Sequence, residues 1–211
     1  MSDILNRFQS LHGQNTRQIG RYFCIPASIS NALRILGFDT FTQEHIRDLW
    51  YADQGRQVET NIDDQMAGAS FDSVIKALSI DPGFVEVSHQ LFSRPGDDNP
   101  SDLTKSREAL TFIVDQITNE HPVIVSTWNL AINRSGNLFV NGYHMWLILS
   151  VSLQSNSFVY HDPGNDQVNT GPICETQEIQ TNKGIIQLPA GLLGKITHSD
   201  YNCLALWRNQ L

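Results

Sequence analysis

A cysteine two residues before a proline, at the head of an apolar helix, can serve as a packing residue or as a nucleophile. Cys24 is such a residue, within RYFCIPASISNALRILG at 21–37. A thiol attacks as its thiolate, and a helix N-terminus favours that anion through its unpaired N–H groups and its macrodipole. Pro26 suits the first turn, where its missing N–H costs nothing, and Ile29, Leu33 and Leu36 then repeat at i, i+4 and i+7 up to a terminating Gly37. A thiolate nucleophile also needs a base and a third group to orient that base. Of the seven histidines, only His144 lies inside a strong strand pattern, just after a turn position at Gly142. Asp162 follows after a strand, a turn at LQSNS and a returning strand, so a hairpin would set this carboxylate beside the imidazole. Gln18 precedes Cys24 closely enough to fold back beside it. Its amide and the Cys24 N–H would then offer two donors to an oxyanion, each worth about 3 kcal/mol.

Each of these residues also has a plainer reading. A lone cysteine on an apolar helix is usually a small buried hydrophobe, a histidine in a strand a satisfied core residue, and an aspartate before Pro-Gly a turn former. Their combination, in this order and in these local structures, favours chemistry. His161, the rival base, alternates along SFVYHDP to the face opposite Asp162. Cys174 and Cys203 have neither a helix start nor a nearby histidine and read as inert thiols. Trp128 and Asn129 end the strand before the His144 hairpin, where they either line a cleft or close an edge of the core. HDPGNDQVN carries several oxygens without the spacing of a calcium loop, so neither a metal nor another cofactor is expected.

The elements that must position these side chains change character along the chain. Up to about residue 90 the pattern is mainly helical, with TFTQEHIRDLW showing a Thr40 to Gln43 capping box and SFDSVIKAL a third short helix. FSRPGDDNPSD at 92–102 reads as a surface loop, and SREALTFIVDQITNE at 106–120 as a further helix. Strands follow at 122–128, 141–152, 157–163 and 202–207, rich in β-branched and aromatic residues. Helices first and antiparallel strands second give an α+β domain whose halves pack face to face, expected to span 1–211 as one unit.

Composition narrows the partners. The net charge is −8, from 22 acidic and 14 basic residues, with no run of Lys or Arg, so neither nucleic acid nor an anionic membrane is an expected partner. No apolar run reaches the roughly 18 residues of a membrane span. The N-terminus lacks the basic start and apolar core of a signal peptide, which favours the cytoplasm and leaves secretion by another route open. Three widely spaced cysteines form neither a disulfide framework nor a metal-binding pattern.

Gln18, then Cys24 within YFCIPASISNALRILG, then GYHMWLILSV and FVYHDPG together resemble the papain-like cysteine peptidases of the bacteriocin-processing C39 type and their stand-alone C39-like relatives. The resemblance implies a papain-like α+β fold and a cysteine peptidase acting on a peptide or isopeptide bond of a peptide or protein substrate. It assigns the nucleophile to Cys24, the general base to His144, the orienting carboxylate to Asp162 and the oxyanion-hole amide to Gln18. Ile25 stands where the family has a small glycine and is expected to crowd or reshape the cleft. With Trp128, Asn129 and Tyr143 it makes up the expected substrate contacts. The 120 residues from Cys24 to His144 are a long separation, and 52–105 reads as an insertion shaping substrate access. The processing peptidases precede a transporter, which this chain does not contain, so leader cleavage during export is not the expected task. The same apparatus serves glutamine deamidation or transglutamination, as in a bacterial effector modifying a host protein. A reading of another class is a C39-like binding module that keeps the fold while its chemistry is weak.

Overall fold

Apolar residues at helical spacing build the N-terminal half. The computed structural model describes residues 3–93, 103–132, 138–181, 184–196 and 201–209. In chain order the elements are α1 (Asp3–Leu11), α2 (Cys24–Ile35), α3 (Gln43–Asp53), α4 (Phe71–Leu78), β1 (Val87–Ser93), α5 (Leu103–Thr118), β2 (Val123–Ile132), β3 (Leu138–Ser152), β4 (Ser157–Asp162), β5 (Gln167–Pro172), β6 (Glu175–Thr181), β7 (Gly184–Ala190), α6 (Gly191–Lys195) and β8 (Tyr201–Arg208). The helix α2 is the central one of the first half, burying Ile25, Ala27, Ile29, Ala32, Leu33 and Ile35. Truncating a side chain buried this deeply, as in Leu33→Ala, costs about 2–5 kcal/mol through lost transfer energy and the cavity left behind.

Two helix starts show how local chemistry fixes boundaries. Ser70 and Ser73 cap α4 reciprocally. For α3 the cap is Thr42, whose hydroxyl accepts from the backbone N–H of His45, in place of the expected Thr40 to Gln43 box. Gln43 is buried and hydrogen-bonded elsewhere, so it cannot reach back to the helix start.

The sheet has six strands in the order β1-β8-β2-β3-β4-β5, every neighbouring pair antiparallel. Val123, Ile124 and Val125 at its centre are all fully buried, so both faces are covered, as a continuous apolar run requires. The helices α2 and α5 both pack against β2 and β3, and α5 also packs against β8. This is the expected α+β architecture, helical N-terminal half against antiparallel sheet.

The strands read at 122–128, 141–152, 157–163 and 202–207 appear as β2, β3, β4 and β8. Gly142, expected at a turn, lies inside β3 where the register to β2 shifts. The edge strand β1 was not legible, because its short, half-polar sequence is a strand only through pairing with β8, from Val87 opposite Arg208 to Ser93 opposite Tyr201. Of the stretch read as a loop at 92–102, Phe92 and Ser93 end β1, and 94–102 lie outside the described residues. The helix α1, the strand β5 and the separate β6-β7 hairpin also escaped the sequence reading. Among the described residues no helix is long and apolar enough to cross a membrane.

Candidate active site

The start of α2 is chemically open. Its N-cap residue, Phe23, supplies no side-chain acceptor, so the first-turn amides have no side-chain cap. Cys24 is half-buried there. From the sheet side, period-2 alternation puts His144 and Trp146 of β3 on one face, with Asp162 and Tyr160 of β4 across from them. His144 Nε2 and Asp162 Oδ1 are 2.6 Å apart. Cys24 is the other group near this imidazole that acts on its ionisation. With Nε2 taken by Asp162, Nδ1 is the remaining ring nitrogen. Thr127, opposite His144 on β2, donates its hydroxyl to the His144 carbonyl at 3.1 Å and fixes that stretch of backbone.

Electrostatics follow from this geometry. Burial alone would lower the His144 pKa, but the hydrogen bond and charge of Asp162, together with the neighbouring Cys24 side chain, raise it to about 9. Burial would raise the Asp162 pKa, yet the His144 contact and the Gly164 N–H hold it below its ordinary value. Gly164 donates to Asp162 Oδ1 at 2.8 Å. A Cβ on Gly164 would lie 3.1 Å from that oxygen and 3.3 Å from His144 Nε2, so only glycine fits without pushing the pair apart. In the sequence Asp-Pro-Gly marks the turn that ends the Asp162 strand, but not the contact of Gly164 with the His144–Asp162 pair.

Gln18 enters from the other direction. Its backbone N–H donates to the Pro163 carbonyl at 2.9 Å, which ties the segment before Cys24 to the turn after Asp162. Its side-chain Nε2 donates to the carbonyls of Gly20 at 3.0 Å and Arg21 at 3.4 Å, and its Oε1 is buried with no partner. The loop between Gln18 and Cys24 is tight, since a Cβ on Gly20 would stand 2.8 Å from both the Ile62 carbonyl oxygen and the Phe23 ring.

The expected substrate contacts divide. Tyr143, next to His144, is 52 % exposed and available to a ligand. Ile25 is 4 % exposed and packs in the core, so it does not crowd the cleft; its i, i+4 relation to Ile29 is the signal that it points inward. Trp128 is 1 % exposed and donates its indole N–H to the Gly194 carbonyl, so it closes the core edge rather than lining a cleft. Asn129 pairs with Gly142 on β3, and its side chain lies outside the described residues.

The remaining thiols and histidines fall elsewhere. Cys203 is fully buried, which pushes its thiol pKa far up, and Cys174 is exposed. His12, His161 and Asp166 bring three ligand-type atoms within 4.8 Å of one another. Each of these side chains already has a protein partner there: His161 Nε2 meets Asp166 Oδ1 at 2.9 Å, Thr16 donates to the same oxygen at 2.6 Å, and His12 Nε2 bonds the Asp166 carbonyl at 3.0 Å. This is a hydrogen-bond network on the face of β4 opposite Asp162.

Helices leading into an antiparallel sheet, with a cysteine at a helix N-terminus facing a histidine and an aspartate on the sheet, define the papain-like α+β class. The family model described as Peptidase_C39 like family matches residues 3–180, so the chain belongs to that family and is a peptidase by family. The match ends in β6, and β8, a strand interior to the sheet, lies beyond it. No curated protein matches the sequence.

Proposed function

We propose that this chain is a cysteine peptidase in which Cys24, His144 and Asp162 act as a triad. The observation that carries the reading is the 2.6 Å contact of His144 Nε2 with Asp162 Oδ1, beside Cys24 at the start of α2, with the imidazole pKa raised to about 9. At neutral pH that imidazole is a cation beside sulfur, the charge that stabilises a thiolate. The sulfur attacks the substrate carbonyl carbon, and the carbonyl electron pair moves to oxygen. That oxyanion takes hydrogen bonds from the Cys24 N–H and from Gln18 Nε2, which exchanges its longer contact with Arg21 for the substrate. His144 gives its proton to the leaving nitrogen as the C–N bond breaks. A water, deprotonated by the now neutral His144, then hydrolyses the thioester and regenerates the pair. The substrate is a peptide or protein segment, with Tyr143 at the rim of the site.

Iodoacetamide labelling near neutral pH tests the nucleophile. Cys24 is expected to label much faster than Cys174 and Cys203, and the Cys24→Ala protein to lose the fast phase. Equal, slow labelling of all three would leave a binding module without chemistry. Mass spectrometry of proteins incubated with the enzyme then reads the reaction: peptide-bond cleavage supports the proposal, whereas conversion of glutamine to glutamate without cleavage replaces it with deamidation.

A further inference from the structure

A buried glutamine outside the proposed triad grips the backbone on both sides of Gln18. Gln43, the first residue of α3, is 4 % exposed. Its Nε2 donates to the Arg17 carbonyl at 2.7 Å, and its Oε1 accepts from the Ile19 N–H at 3.2 Å. Between these two bonds, the Gln18 N–H donates to the Pro163 carbonyl at 2.9 Å. The peptide carrying Gln18 is therefore held at three successive residues, by the Asp162-Pro163-Gly164 turn and by one side chain of α3.

Packing does not do the same job. A cavity of about 660 Å³ lies along this segment, lined among others by Arg17, Gln18, Ile19, Ser30, Arg34 and Gln43. With open space against the loop, directional hydrogen bonds rather than a close-packed wall fix where Gln18 sits. We infer that Gln43 is a positioning residue for the oxyanion donor: by bonding Arg17 and Ile19 it holds the Gln18 amide where the substrate oxygen develops charge. The inference rests on the oxyanion role given to Gln18 above. It extends the reacting apparatus to α3.

The test separates the oxyanion site from the thiol. The aldehyde acetyl-phenylalanyl-glycinal adds to a cysteine sulfur to form a hemithioacetal, with the thiol proton ending on the former carbonyl oxygen, which occupies the oxyanion site. Iodoacetamide alkylates the same sulfur by displacing iodide and builds no oxyanion. In Gln43→Leu the aldehyde is expected to bind about tenfold more weakly, as displacement of a single donor implies, while Cys24 alkylation stays within about twofold of wild type. Gln18→Ala should lose at least as much aldehyde affinity. Because Gln43→Leu could unsettle the fold, Gln43→Glu provides a second reading. Its carboxylate accepts from Ile19 but cannot donate to Arg17, and its protonated form can do both, so aldehyde affinity relative to wild type should recover as pH falls from about 7 to about 4, through the ordinary glutamate value of about 4.3 or the higher one that burial imposes.

Unchanged aldehyde binding in Gln43→Leu with weakened binding in Gln18→Ala would overturn the role of Gln43. So would an equal loss of alkylation and aldehyde binding, or a Gln43→Glu ratio that is flat with pH. Unchanged binding in Gln18→Ala, or no hemithioacetal with the wild-type protein, would instead strike at the oxyanion and nucleophile assignments themselves.

Discussion

Two His–Asp pairs sit back to back on β4, and they behave oppositely. On one face Asp162 meets His144 at 2.6 Å, and on the other His161 meets Asp166 at 2.9 Å. The partner types are the same, yet His144 is raised to about 9 while His161 is lowered below its ordinary value. Burial is the largest influence on both and lowers both. His161 is fully buried, with its ring against Phe8 and its Nδ1 without a partner, and His12 adds a like-charge penalty. His144 is open enough to keep some hydration and has in Cys24 a second neighbour that raises it. A carboxylate alone does not make a histidine a cation; the other neighbours, Cys24 for His144 and His12 for His161, differ between the two faces.

The largest effect belongs to the sulfur itself. Cys24→Ala should abolish peptide cleavage, a loss of about four orders of magnitude or more in kcat/KM, with little change in the urea midpoint of unfolding. Asp162→Asn comes next. Removing the charge that raises His144 should cut kcat/KM on the order of 10²-fold or more and move the alkaline limb of its pH profile down from about 9. If the limb stays in place, Asp162 does not set the charge of His144. Gly164→Ala should give about a tenfold loss by pressing on the same contact, since a displacement of a few tenths of an ångström is enough to spoil proton transfer. Comparable loss from Asp166→Ala would erase the distinction between the faces. That variant is instead expected to cost about 1–3 kcal/mol of stability, because Thr16 and the buried His161 lose their acceptor, and to leave Cys24 alkylation unchanged.

The smallest effect is in stability against pH, where the two histidines should pull in opposite senses. The folded pKa of His144 is raised, so its contribution is complete below its unfolded value of about 6.5 and fades as pH climbs through about 9. The folded pKa of His161 is lowered, so the unfolded chain binds the proton first and stability falls as pH drops below about 6.5. Urea midpoints across pH should show His144→Gln losing the alkaline decline and His161→Phe losing part of the acid one. The same slope in both variants would mean that neither histidine contributes as described.

What was legible in the sequence depended on short-range rules. Cys24 at a helix start follows from Pro26 and a regular apolar spacing. The meeting of His144 with Asp162 follows from period-2 alternation and a turn of the right length, and the same parity sends His161 to the other face. Ile25 was misread because its position was judged by the resemblance, although its helical relation to Ile29 already turned it toward the core.

Sequence alone thus determined the helix start at Cys24 and the strands that bring His144 and Asp162 together, because helix and strand periods act over a few residues. Tertiary structure alone decided that Gln18 is tied to Pro163, that Gln43 spans Arg17 and Ile19, and that β1 finds β8. Those contacts join segments far apart in the chain through backbone N–H and carbonyl groups. Every residue but proline carries both groups, so no residue type announces the pairing, and only the packing of α3 and the sheet around α2 selects it.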